Sequence, residues 1–122
     1  MSAISAKRIG FRGEQAVSRY LRWRGWRILG RNVRIGRDEL DLVAAHRKDS
    51  ILAVVEVKSS VGVGCLLHRV DHQKQCRVAR AAERLPAQWV RGRALRFDVA
   101  AVRVRRIKCQ VRYLKAAFDD PR

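Results

Sequence analysis

SILAVVEVKSS, residues Ser50–Ser60, reads as the central strand around which the chain is built. Ile51 to Val55 is unbroken apolar sequence rich in β-branched side chains, the pattern of a strand covered on both faces. Glu56 and Lys58 follow, two positions apart. In a strand that spacing turns both side chains to one face, about 6.5–7 Å apart along it. Taking a carboxylate and an ammonium out of water together costs on the order of several kcal/mol each without compensation. A divalent cation on Glu56 and a phosphate on Lys58 would compensate; a salt bridge at the wet end of the strand is the plainer alternative.

Immediately upstream, Asp38 to Ala45 (DELDLVAA) alternates, with Leu40 and Leu42 on one face and Glu39, Asp41 and Val43 on the other. His46 to Asp49 is a short polar link, so the two segments form an antiparallel hairpin. With Ala45 opposite Ser50, Asp41 faces Val54, on the face that carries Glu56 and Lys58. A register two residues tighter sets Asp41 opposite Glu56, and the intermediate one sends it to the wrong face. Trp26 to Arg34 (WRILGRNVR) is a first strand interrupted near Gly30, with a turn at Gly36. Ala6 to Arg24 is a helix ended by Gly25, its apolar stripe formed by Ile9, Gly13, Ala16, Val17, Tyr20 and Leu21. Glu14, the one acid of that helix, borders the stripe; surface pairing with neighbouring bases is its ordinary explanation.

Downstream, Ser59 to Arg69 contains Gly62 and Gly64 and reads as a loop. Asp71 caps a second helix running to about Leu85, before Pro86. Lys74 shares a face with Val78, Ala81, Ala82 and Leu85 and leans toward the sheet, either to meet a ligand or to lay its stem on the core. Pro86 to Gly92 holds a short helical turn with Trp89 inward. Ala94 to Val104 is a fourth strand, in which Asp98 is structural, and Cys109 to Lys115 a fifth or an edge piece. The order is helix, three strands, helix, two strands: a single mixed α/β domain with a core from about residue 7 to 115.

The 28 Lys and Arg against 11 Asp and Glu, a net charge of +17, favour a polyanionic partner. DNA or RNA comes first and an anionic membrane second. Cys65, Cys76 and Cys109 form no CxxC pair and leave one over in any disulfide scheme, which suits a reducing compartment. Without a signal-peptide core or a membrane-spanning stretch, the expectation is a soluble, cytoplasmic protein.

Asp41 and Glu56 supply hard oxygen ligands suited to Mg²⁺ or Mn²⁺. Two carboxylates this close repel, so one should have a raised pKa that cation binding relieves. The chemistry implied is hydrolysis of a nucleic-acid phosphodiester: the cation polarises a phosphoryl oxygen and eases deprotonation of water. Lys58, expected as a buried amine, orients that water or stabilises the developing charge, and Glu14 joins if its helix crosses this end.

Taken in order, Arg12-Gly13-Glu14-Gln15-Ala16, Asn32-Val33-Arg34, Glu39-Leu40-Asp41-Leu42-Val43, Val55-Glu56-Val57-Lys58, and Val70 with Lys74 resemble the motifs of the YraN-like family. That family is similar to the PD-(D/E)xK, restriction-endonuclease-like nucleases and to archaeal Holliday junction resolvases. The resemblance spans roughly Lys7 to Leu114. It implies a restriction-endonuclease-like core in the order αβββαβ, with Asp41 and Glu56 as metal carboxylates, Lys58 as the catalytic lysine and Glu14 as the helix-borne acid. Lys74 matches the basic residue of the second helix, and Arg12, Arg34, Lys74 and Arg77 are the candidate nucleic-acid contacts. A homodimer follows by analogy with the resolvases. The sequence departs at Asp38, where a Gly usually stands, and at Ser60, where an Arg usually follows the Lys. The first adds negative charge beside the site and the second removes a phosphate contact.

Two rival readings remain open. The same fold could bind DNA or RNA without turnover. Alternatively, Cys65, His68, His72 and Cys76, in a C-x2-H-x3-H-x3-C run, have ligand types that suit zinc. Their spacing matches no standard module, and ordinary loop and helix residues are the preferred explanation. Membrane attachment is weaker, because the apolar stripe of the basic helix is needed for the core.

Overall fold

The computed structural model describes residues 5–61 and 70–122. Its elements are α1 (Ala6–Trp23), β1 (Trp26–Ile35), β2 (Asp38–His46), β3 (Ile51–Ser60), α2 (His72–Ala82), α3 (Ala87–Val90), β4 (Ala94–Val104) and β5 (Cys109–Phe118). The strands form one sheet in the order β1-β2-β3-β4-β5, antiparallel throughout except between β3 and β4. A parallel pair needs a crossover, and the α2–α3 segment lies within it. This is the mixed α/β domain that the sequence predicts. The fifth strand runs to Phe118, beyond Lys115, and α2 stops at Ala82, short of Leu85.

Each sheet face has its own core. On one, Val17 and Leu21 of α1 pack on Leu42, Ala44, Ala53, Val55, Ala100 and Val102. On the other, Val78, Ala79, Ala81 and Ala82 of α2 pack on Leu40, Val43, Leu52, Val54 and Phe97. The central strand is therefore apolar at successive positions because both its faces are covered. Trp89 packs against the α2-side core, and an added Cβ at Gly30 would lie 3.0 Å from its ring. The interruption expected near Gly30 is a register shift between Ile28 and Gly30 within one continuous strand.

The hairpin register is Ala45 opposite Leu52 and Leu42 opposite Val55, which carries Asp41 toward Glu56. It is the register that groups the acids, but it is reached by a looser connection, not a tighter one. The turn is held locally: backbone N–H groups of Lys48 and Asp49 donate to His46 Nδ1, at 3.3 and 3.0 Å.

Alternation along β2 fails at Asp41. Leu40 packs with the α2-side core and Leu42 with the α1-side core, not on a common face. The cause sits across the ladder. Asn32 has φ +50°, and pairing passes from Arg31 with Leu42 to Val33 with Leu40 without joining Asn32 and Asp41. Asn tolerates this left-handed backbone because its short amide compensates locally.

Candidate active site

The pairing of β2 with β3 ends at Leu42 and Val55, although β2 begins at Asp38 and β3 continues to Ser60. The two strands diverge there and form a fork. At its base the Val57 backbone N–H, freed from the ladder, donates to Asp41 Oδ2 at 2.8 Å. The carboxylate thus replaces a strand as acceptor and is held in place by the fork itself.

Glu56 stands beside it, only 2% exposed, and its Oε1 is buried with no hydrogen-bond partner among the described residues. Burial is the largest cause of a raised pKa at Glu56, and the adjacent Asp41 carboxyl adds to it; together they push it to about 9. Lys74 and then Lys58 oppose the rise, so both ammonium groups act on this acid. Lys74 is half-buried on α2. Lys58 corrects an expectation. It is exposed, not a buried amine, because the fork leaves its side of β3 open.

Glu14 reaches the fork from the other face. Its Oε1 accepts from Asn32 Nδ2 at 3.1 Å, and its pKa is raised first by burial, against the lowering effect of Asn32, with the charge of Asp41 adding to the rise. Asp41 is the acid that influences both Glu14 and Glu56. Among the described residues no three His, Cys, Asp or Glu side chains form a metal-holding group, so the expected gathering of three acids reduces to the Asp41–Glu56 pair. That pair suits a hard divalent cation: it offers hard carboxyl oxygens, one of them buried and unpartnered, whose raised pKa a cation would bring down. Mg²⁺ commonly takes one or two carboxylates and retains water.

Gly13 sets how near α1 comes. A Cβ there would fall 1.8 Å from Ser59 Oγ, so only glycine permits this approach of helix to β3. Beside the contact, Ile9, Gly10, Glu14, Val57 and Ser60 line an open groove of about 420 Å³.

The remaining candidates separate. Arg34 is exposed on β1, 3.9 Å from Glu39. Arg77 is exposed on α2. Arg12 points away from the acids, its guanidinium 3.8 Å from Cys109 Sγ beside β5, because it lies two helix positions from Glu14. Asp38 does not burden the site: Arg80 forks onto its carboxylate with contacts of 3.0–3.2 Å. Of the proposed zinc ligands, Cys65 and His68 lie outside the described residues, while His72 Nε2 and Cys76 Sγ are 3.6 Å apart on α2. Asn32 is the residue that sequence reading undervalued; an Asn inside an otherwise extended segment was the available signal.

The model of an uncharacterised protein family, UPF0102, matches residues 13–102, which include the whole fork. The chain belongs to this family. It is 41% identical over 113 residues to a UPF0102 protein of Myxococcus xanthus, covering 90% of this chain and 88% of that one. A UPF0102 protein of Syntrophotalea carbinolica is 37% identical over 112 residues, with 91% of each chain covered. One from Chlorobaculum tepidum is 33% identical over 120 residues, covering 90% and 91%. The UPF0102 match takes in Glu14, Asn32, Asp41, Glu56, Lys58 and Lys74. Among the described residues, no helix is long and apolar enough to cross a membrane.

Proposed function

We propose that this UPF0102 protein is a divalent-metal-dependent nuclease that hydrolyses phosphodiesters in DNA, with branched or junction DNA as its substrate class. The observation that carries the reading is the buried, unpartnered Glu56 oxygen beside half-buried Asp41 where β2 and β3 part, with the charges of Lys74 and Lys58 acting on it. An internal structural role would have satisfied that oxygen. Asp41 and Glu56 would hold Mg²⁺ or Mn²⁺, which supplies Lewis-acid stabilisation of charge on a phosphoryl group.

The chain's own residues do the rest. The Val57 N–H orients the Asp41 carboxylate. Lys58, exposed on the Glu56 side of β3, is free to meet the reacting phosphate and steady its developing negative charge. Lys74 lies close enough to act on Glu56 and holds a neighbouring phosphate. Asn32 positions Glu14 at the groove mouth, and the net charge of +17 draws the polyanion in. The described cysteines, Cys76 and Cys109, are free thiols, which suits the cytoplasm as the working compartment.

The exposure of Lys58 favours a second reading, a binding module without turnover. One experiment separates them. Branched, single-stranded and duplex DNAs are incubated with the protein and Mg²⁺ or Mn²⁺ at stated salt concentrations. Cleavage should disappear in Asp41→Asn and in Glu56→Gln while DNA affinity is kept. Intact DNA in every arm with wild-type protein would establish the binding module instead.

A further inference from the structure

A second concave surface lies across α1 from the fork. Arg12, Arg19 and Trp23 of α1 face Ile107 and Lys108 of the β4–β5 turn and Cys109 of β5 across a groove of about 360 Å³. Its charged lining is wholly cationic; none of the described acids borders it. Arg105 and Arg106, exposed in the same turn, extend the positive surface. Two large apolar side chains stand almost free at its rim, Trp23 at 87% exposure and Ile107 at 91%.

An indole held in water at a helix end, among arginines, is not explained by packing. Tyr20, the other aromatic of the groove, is already covered on both faces. Tyr113 stacks on one side with ring centroids 5.3 Å apart, and the Arg24 guanidinium lies 3.5 Å from the ring centroid. Trp23 is thus the aromatic surface left to a ligand.

We infer that this groove binds a single strand of nucleic acid, one unstacked base lying on Trp23 and the flanking phosphates on Arg12, Arg19 and Lys108. The occupant must bring negative charge and a flat apolar face together. An acidic peptide would leave the indole uncovered. A second copy of the chain across a twofold axis would set cation against cation. Duplex DNA keeps its bases stacked and cannot offer one to the ring, whereas aromatic platforms in positive grooves take single strands irrespective of sequence.

The groove is also placed to serve the fork. Strands β3 and β4 are parallel, so the β4–β5 turn leaves the sheet at the same end as Glu56 and Lys58. Two strand spacings, about 10 Å, separate β3 from β5. A strand peeling from a branch could lie in the groove while its duplex root rests at the fork. The inference shares with the nuclease reading only the class of partner.

Fluorescence anisotropy of labelled oligo-dT, oligo-U and a blunt duplex of equal length, each titrated with the full chain at one moderate salt concentration, tests it. The two single strands distinguish DNA from RNA as the natural occupant. Trp23→Ala should weaken single-strand binding about tenfold and leave duplex binding unchanged. Arg91→Ala, which removes an exposed charge elsewhere, should leave the ratio of single-strand to duplex affinity as in wild type. The Asp41→Asn/Glu56→Gln double variant should keep single-strand affinity, so a failed nuclease reading leaves this result standing. Wild-type single-strand affinity in Trp23→Ala, or an equal loss for strand and duplex, overturns the inference. So does a dimer that dissociates in Trp23→Ala with strand binding unaltered, which would give the groove to a second copy.

Discussion

Two acids are buried in the same sheet, and they are treated in opposite ways. Asp98, in β4, is wholly inaccessible and saturated with donors. Arg96 forks onto it with two contacts of 2.9 Å, the Tyr113 hydroxyl donates to Oδ2, and the Ala116 N–H donates to Oδ1 at 2.8 Å. Burial and the charge of Asp98 raise the Tyr113 pKa far above its ordinary value, so that the hydroxyl remains a donor. Glu56, one strand away in β3, is buried nearly as deeply, yet Oε1 has no partner among the described residues and the acid Asp41 acts on it. A buried acid that the fold satisfies is part of the scaffold. One that the fold leaves unsatisfied is held for something outside the chain.

Removing each acid should therefore act with opposite sign. Asp98→Ala leaves Arg96 without its counter-ion and the Tyr113 and Ala116 donors without an acceptor. It should lower unfolding free energy by about 3–5 kcal/mol in urea titration. A loss below about 1 kcal/mol would mean that the network contributes little beyond desolvating its own members.

Glu56→Gln should stabilise the metal-free protein at alkaline pH. The folded-state pKa lies above the ordinary 4.5, near 9, so the folded chain holds a proton that the unfolded chain has released. Stability from the neutral acid is whole below pH 4.5 and is lost as pH rises toward 9. The Gln variant stays neutral and should exceed wild type by about 1–3 kcal/mol near pH 8, with the gap closing toward acid. Mn²⁺ should raise the wild-type melting temperature at that pH and a chelator reverse it, with neither affecting Glu56→Gln. A wild type that tracks the variant at every pH would make Glu56 as well satisfied as Asp98 and end the contrast.

The smallest effect concerns how α1 frames the open acid. Gly13→Ala must displace Ser59 or the helix and should cost about 1–2 kcal/mol in thermal unfolding. Gly10→Ala, where an added Cβ meets nothing within 4 Å, should instead be neutral or gain up to about 1 kcal/mol from helix propensity. Equal responses would show that α1 does not press on β3, and Glu14 would then owe its place to Asn32 alone.

Much of this was legible in the chain. Period-3.6 stripes placed both long helices and an unbroken apolar run placed the central strand, because each needs buried faces. The alternation read along β2, by contrast, put Leu40 and Leu42 on one face, and the structure does not. Asp98 read correctly as structural. Glu56 and Lys58 stood out because charge at the end of a buried strand is costly wherever that strand packs. The Asp41 register was legible only as parity: it had to differ by an even number of residues, but the looser turn follows from how His46 ties Lys48 and Asp49. Arg12 and Glu14, adjacent in one motif, serve opposite sides of a helix, which proximity in sequence conceals. Arg80, distant in sequence, cancels the Asp38 charge that looked harmful.

Sequence alone determined the order of elements, the two-sided burial of the central strand and the charged Glu56 and Lys58 at its end, since these depend on spacing between near neighbours. The pairing of Glu56 with Asp41 waited on the register. Tertiary structure decided that β2 leaves β3 at Asp41, that Asn32 turns to hold Glu14, that Lys58 faces water and that Trp23 is left bare. Those outcomes depend on groups far apart in the chain whose meeting is set by packing of the whole sheet, and no local repeat encodes that distance.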